Sequence, residues 1–163
     1  EGMDVLVRRA EPHDAARVAT LLDAFNREYD SPAPELVALT ERLTALLASD
    51  TFAVLIAGSP PTGFASVSLR TSAYDDGPVA LLEDLYVRSE LRGQGIGARL
   101  IAAVVAHCRE VGAGVLEVNV DEADADALRF YAREGFALLQ PDTGERAFYL
   151  SRDVTSAGDD ASG

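Results

Sequence analysis

One stretch, Leu81 to Arg99 (LLEDLYVRSELRGQGIGAR), limits the folds open to this chain more than any other. Its first part mixes apolar and acidic residues in partial alternation. Leu81, Glu83, Leu85 and Val87 share one parity and Asp84 and Tyr86 the other, as in a strand with two different faces. Arg92-Gly93-Gln94-Gly95-Ile96-Gly97 comes next, and from Ile96 a helical stripe runs through Leu100, Val104, Cys108 and Val111. Glycines between a strand and a helix leave backbone N–H groups uncovered by side chains. The first helical turn adds unpaired donors and the positive end of a macrodipole. Such a turn is a cradle for an anion.

Three anions compete for it. A nucleoside-triphosphate loop needs Lys-Ser/Thr after its last glycine, and Ala98-Arg99 follows Gly97, which excludes it. Gly93-Gln94-Gly95-Ile96-Gly97-Ala98 satisfies the loose dinucleotide pattern, with Glu117 at the acidic position beyond. Too little chain remains after the turn for a dinucleotide sheet, however, and consecutive hairpin strands precede it. The third reading also uses Arg92. Arg92-Gly93-Gln94-Gly95-Ile96-Gly97 after an apolar strand resembles the acyl-coenzyme A pyrophosphate loop of the GNAT N-acetyltransferase superfamily. Two further phrases extend the resemblance: Leu85-Tyr86-Val87 before the loop, and Ala127-Leu128-Arg129-Phe130-Tyr131-Ala132-Arg133-Glu134-Gly135-Phe136 after it.

The resemblance implies a single α+β domain over residues 3–151, with a polar tail at 152–163. The expected architecture has three layers, a bent and mainly antiparallel sheet of about six or seven strands with helices on both faces. Acetyl-coenzyme A is the implied co-substrate, held between the strands at Leu81–Arg88 and Val115–Val120, with Leu85, Tyr86, Val87 and the Arg92–Gly97 loop as its contacts. Asp124 stands where the family commonly has Asn. It is expected either to cap the helix carrying Tyr131 or to accept a hydrogen bond from the cofactor arm.

Acyl transfer from a thioester to an amine needs a neutral amine, a stabilised oxyanion and a donor for the departing thiolate. Tyr131 occupies the family's thiolate-facing position. A phenol near pKa ~10 transfers a proton to a thiolate near ~8.5 only uphill, by about 2 kcal/mol, so a hydrogen bond to the sulfur is the expected role. Glu83 is the candidate general base, because Leu82-Glu83-Asp84 resembles the stretch in spermidine/spermine acetyltransferases where such acids face the amine. Adjacent strand residues point to opposite faces, so Asp84 joins Glu83 in one pocket only if a bulge or bend intervenes. Salt bridges from this pair to Arg8 or Arg70 are the structural alternative.

Read in order, Asp4–Ala10 is an edge strand and a helix follows Pro12, through about Tyr29. A second helix spans Glu35–Ala48. In the family this helix pair lines the acceptor side, which makes Phe25 and Tyr29 candidate substrate contacts. Thr51–Ala57, Phe64–Thr71 and Val79–Arg88 form an antiparallel meander, Val115–Val120 is a further strand, and Phe136–Gln140 with Arg146–Leu150 makes a last hairpin. Glu1-Gly2 before Met3 reads as a vector-derived leader.

Composition sets limits on partners. The net charge of −13 argues against nucleic acid or an anionic membrane and suits a cationic acceptor, though acidic surfaces also serve solubility alone. One cysteine excludes an internal disulfide, and no apolar run suggests a membrane span, which points to the cytoplasm. His107 and Cys108 read as structural, and no metal-spaced cluster is present. The function expected is direct transfer of acetyl from acetyl-coenzyme A to a small cationic amine. A protein N-terminus or lysine as acceptor, an acyl-coenzyme A sensor without turnover, and a homodimer stay open.

Overall fold

The computed structural model describes residues 5–155. The Glu1-Gly2 leader, the Met3 start, Asp4 of the first strand and the tail from 156 to 163 lie outside the described residues. Two compact units divide the chain, one ending at Asn119 and the other beginning at Val120.

The first unit is a mixed sheet of five strands in the order β1-β2-β3-β4-β5. These are β1 (Val7–Arg9), β2 (Phe52–Ala57), β3 (Gly63–Arg70), β4 (Val79–Val87) and β5 (Val115–Val118). The first four pair antiparallel and β5 joins β4 in parallel. Helices α1 (Ala15–Glu28) and α2 (Leu36–Leu47) precede β2, and α3 (Ile96–Glu110) makes the crossover to β5.

The helices α1 and α2 cover one face of the sheet. Val18 and Leu21 of α1 and Leu39, Leu43 and Leu47 of α2 share a core with Val54, Ile56, Phe64 and Tyr86. The other parity of β2 and β3, Ala53, Leu55, Ala65 and Val67, is equally buried. On that side α3 lies against all five strands, through the stripe Leu100, Ile101, Val104 and Cys108. Both faces being covered, the strands read as near-continuous apolar runs rather than clean alternation.

The second unit holds α4 (Ala125–Arg133), whose N-cap Asp124 accepts from the Ala127 amide at 2.9 Å. The expected last hairpin is replaced by a turn. Gly144 N–H donates to Gln140 O at 2.9 Å and Gln140 N–H to Glu145 O at 2.8 Å, yet only the single bridge Leu139–Arg146 pairs beyond it. Among the described residues the sheet therefore has five strands, not six or seven. An isolated two-stranded pairing is marginal, and the alternation at Phe136–Gln140 and Arg146–Leu150 forms no ladder among the described residues.

One buried charge ties β1 to α1. Asp14, fully buried, accepts from both terminal nitrogens of Arg8 at 2.7 and 2.8 Å and from the Glu11 amide at 2.9 Å. The guanidinium holds the Asp14 carboxyl well below the usual carboxylate range, against the opposing effect of burial. A depressed carboxylate adds stability that is full above the unfolded value near ~4 and is lost as pH falls through the folded one. Asp14→Asn is expected to cost about 1–3 kcal/mol at pH 7, toward the lower end because half-exposed Arg8 is screened by solvent. In urea denaturation the gap between the two proteins should narrow below pH ~4; a gap that stays constant down to pH 2 would mean the charge is not its source.

Candidate active site

The strand β4 carries one residue more than its partner. Asp84 pairs with Ser66, but the next step along β3, Val67, pairs with Leu82, so Glu83 is the extra residue of a β-bulge. The bulge resets parity along the strand. Leu82 and Leu85, opposite Val67 and Ala65, face α3, while Leu81, Asp84 and Tyr86, opposite Ser68, Ser66 and Phe64, face α1 and α2. The single parity read from the sequence for Leu81, Glu83, Leu85 and Val87 is thus broken at Glu83. The two acids come to one side.

Two serines hold them there. Ser66 Oγ donates to Asp84 Oδ2 at 2.7 Å and Ser68 Oγ to Glu83 Oε1 at 2.6 Å. Arg8 and Arg70 bind Asp14 and Glu117 instead, so neither neutralises the pair. Both carboxylates line a half-open cavity of about 230 Å³ between α1, α2 and the sheet. Burial pushes the Asp84 carboxyl up, the Ser66 hydrogen bond opposes this, and the neighbouring Glu83 charge adds to it. Ser66, Ser68 and Arg42 were not among the sequence candidates, although the alternate serines of β3 are a readable sign of a polar strip on one face.

The strand changes role beyond the bulge. The parallel pairing of β4 with β5 runs from Val79–Val115 to Leu82–Val118 and stops there. From Glu83 to Val87 that edge of β4 has no strand partner among the described residues. The segment Leu85-Tyr86-Val87 therefore leads to the glycine loop with no strand paired to it on that edge among the described residues.

The loop itself is built as an amide cradle. Gly93 and Gly95 have φ of +75° and +83°, a region open to glycine at little cost, and Gly95 is the N-cap of α3. A Cβ at either position would project into open space, which is room for an incoming group. After Arg92, the first backbone amide to reach a backbone carbonyl among the described residues is that of Arg99, on Gly95 O at 3.1 Å. The amides of Gly93 to Gly97 thus stay available, with Gln94 exposed on the loop and Ile96 anchored in the core. The donor set fits a pyrophosphate.

Arg92 serves the frame of this loop. Its guanidinium is ion-paired with Glu28, donates from Nε to Val87 O at 2.9 Å and lies 5.6 Å from the Tyr86 ring centroid. Phe25 packs on Tyr29 at 5.2 Å and edge-on to Tyr86 at 5.4 Å. Phe25 and Tyr29 therefore belong to the aromatic cluster under Arg92, whereas the α1 residues lining the cavity are Val18 and Leu22.

In the second unit, Tyr131 is half-buried with its ring edge-on to Phe130 and Phe136, each at 5.2 Å. The Asp124 carboxylate is engaged at the start of the same helix by the Ala127 amide. His107 and Cys108 lie in the α3 core; burial lowers the imidazole pKa and raises that of the thiol. Among the described residues no group of three or more His, Cys, Asp or Glu could hold a metal ion, and no helix is long and apolar enough to cross a membrane.

Comparison with known proteins meets this geometry. The model of the Acetyltransferase (GNAT) family matches residues 17–136. The aminoglycoside N(6')-acetyltransferase type 1 of Stenotrophomonas maltophilia is 33% identical over 136 residues, spanning 80% of this chain and 84% of its own. A crystal structure of a protein from Arthrobacter sp. FB24, assigned as an acetyltransferase with no stated substrate, superposes with a TM-score of 0.88. It is 43% identical and covers 94% of this chain and 99% of that one. An aminoglycoside acetyltransferase from an uncultured soil metagenomic sample, in complex with sisomicin, shares the fold at a TM-score of 0.76. That match is 23% identical and covers 92% of this chain and 96% of its own. Sequence motifs, sheet and loop all lead to one assignment: the chain belongs to the acetyltransferase (GNAT) family and is an acyltransferase.

Proposed function

We propose that the protein transfers the acetyl group of acetyl-coenzyme A directly to a small cationic amine held by Glu83 and Asp84. One observation carries this reading: the β4 bulge turns both acids into the same cavity, on the strand that runs straight into the glycine loop. The co-substrate supplies an activated thioester. The amides of Gly93 to Gly97 and the N-terminus of α3 would hold its pyrophosphate, and the unpaired edge of β4 from Glu83 to Val87 would take its amide-bearing arm.

The two carboxylates divide the work. Glu83, exposed and fixed by Ser68, holds the incoming ammonium. Asp84, less hydrated, is the better proton acceptor, because a raised pKa brings a carboxylate closer to the amine it must deprotonate. A gap of several units remains between any such carboxylate and an ammonium near ~10, so Asp84 acts through water or on the minor neutral amine. Tyr131 keeps the role its motif implies, a hydroxyl donor to the departing thiolate.

The cradle is tested by Gly95→Ala. A left-handed alanine costs about 1–2 kcal/mol of stability, and the new Cβ enters the space assigned to phosphate. Coenzyme A affinity measured by calorimetry should fall at least ~10-fold, beyond what the small stability loss explains. Unchanged affinity in the folded variant would remove the loop from the binding site.

The acids are tested by their amides. Asp84→Asn should lower kcat by about 10²–10⁴, while Glu83→Gln should act mainly on the KM of the amine. Because Asp84 must be ionised to accept a proton, wild-type activity should fall as pH drops through its raised pKa, an acid limb that Asp84→Asn should lack. A raised folded-state pKa gives stability that is present below the unfolded value and lost as pH rises through the folded one, so Asp84→Asn should be no less stable at pH 7. Full activity in both variants would end the proposed amine site.

Tyr131→Phe removes one hydroxyl and almost no volume. Folding and coenzyme A affinity should survive while turnover falls by about 10²–10⁴. An unaltered kcat under conditions where chemistry limits the rate would leave Tyr131 with a packing role only.

A further inference from the structure

We infer that the amine taken by this cavity is a compact monoamine on an alkyl or aryl body, not a polyhydroxylated amino sugar, an inference that rests on the reading of Glu83 and Asp84 as the ammonium site. The walls decide it. Eight of the twelve side chains lining the cavity are hydrocarbon, among them Leu22, Leu39, Leu43, Leu46 and Phe52. Leu46 is 40% exposed, and Leu22 and Phe52 are only partly buried, so their carbon is presented to whatever enters.

The polar groups of the lining are Arg42, Ser66, Glu83 and Asp84, and the hydroxyl proton of Ser66 is already given to Asp84. A sugar hydroxyl drawn against the leucine wall would give up water and meet no partner. Each such group weakens binding by about 5- to 150-fold, whereas each methylene buried there strengthens it about 4-fold.

Charge and size agree. With both carboxylates ionised the lining carries two negative charges and the one positive charge of Arg42, a net of −1. One ammonium balances it. A second ammonium would meet Arg42 without a further acid in the lining. The volume of about 230 Å³ lies below the ~300–1,000 Å³ of pockets that enclose drug-sized ligands, so a linked-ring amino sugar could enter only by one end.

The test is an acceptor panel with acetyl-coenzyme A, read by thiol release and product mass: propylamine to hexylamine, 2-phenylethylamine, 1,6-diaminohexane and sisomicin. The expected result is a kcat/KM that climbs about 3- to 4-fold per methylene, exceeds that of the diamine at least 10-fold and that of sisomicin at least 100-fold. Calorimetry of hexylamine in the presence of coenzyme A should show a negative heat-capacity change, the mark of apolar burial. Leu46→Gln, at a partly exposed site that should leave folding intact, should cost hexylamine about 10-fold and sisomicin much less. A flat alkyl series, or sisomicin preferred over hexylamine, overturns the inference while amine acetylation stands. Thiol release with none of these amines overturns the amine-acetyltransferase reading and the inference with it.

Discussion

The bulge at Glu83 is the constraint on which the site depends. A strand buried on both faces has no solvated side on which to place an acid, and in regular pleating Glu83 and Asp84 would point to opposite faces. One carboxylate would then enter the apolar layer beneath α3, among buried Val67, Leu82 and Leu100. Leaving a charge so placed costs several kcal/mol. Inserting one residue turns both acids to the side of α1 and α2, where Ser66 and Ser68 stand two apart and meet one carboxylate each. The same residue marks the end of pairing between β4 and β5. Bulges bend and twist a strand locally, so one insertion collects the acids where the pairing with β5 ends.

Much of this is legible in the sequence because the determinants are local. The glycine loop, the helical stripe from Ile96 and the meander before it need only neighbours in sequence, and they form within a few residues of where periodicity places them. The bulge left a trace that period-two reading blurs. Apolar residues keep step up to Leu82 and resume on the same face at Leu85, an odd step of three that two intervening acids hide. A strand with one inserted residue and a strand that alternates poorly look alike until the register with β3 is known. Asp14 escaped for a related reason, since its value lies in Arg8 reaching across a turn. The terminal hairpin failed in the opposite direction, its alternation genuine but its ladder dependent on a neighbouring strand.

Arg92, named with the glycine loop as a cofactor contact, also makes contacts of its own within the fold. At the head of the glycine phrase, it pairs with Glu28 at the end of α1, and Tyr86 lies beneath it. That arrangement ties the first helix to the strand end and to the loop, with Phe25 and Tyr29 packed alongside. A neutralised guanidinium adds little to long-range attraction. The donors that remain for an anion are the amides of a loop held in the conformation that only its left-handed glycines take without strain.

A chain of net charge −13 must still reconcile an ammonium with a polyphosphate if the proposed reaction is its own. The long-range field favours the first and opposes the second. Its reach is limited, because the Debye length at physiological ionic strength is ~8 Å, comparable with the span of a few strand residues. Over more than that distance the signs separate along β4 and the glycine loop after it. Glu83 and Asp84 lie before Leu85, while Arg88 and Arg99 flank the glycine loop against Glu90, Arg92 being paired with Glu28. The start of α3 adds about half a positive charge. Local composition, backbone dipoles and screening together allow opposite charges to be bound at the middle of one strand and at the loop that follows it, so the overall acidity constrains the approach of an acceptor more than the seating of a phosphate.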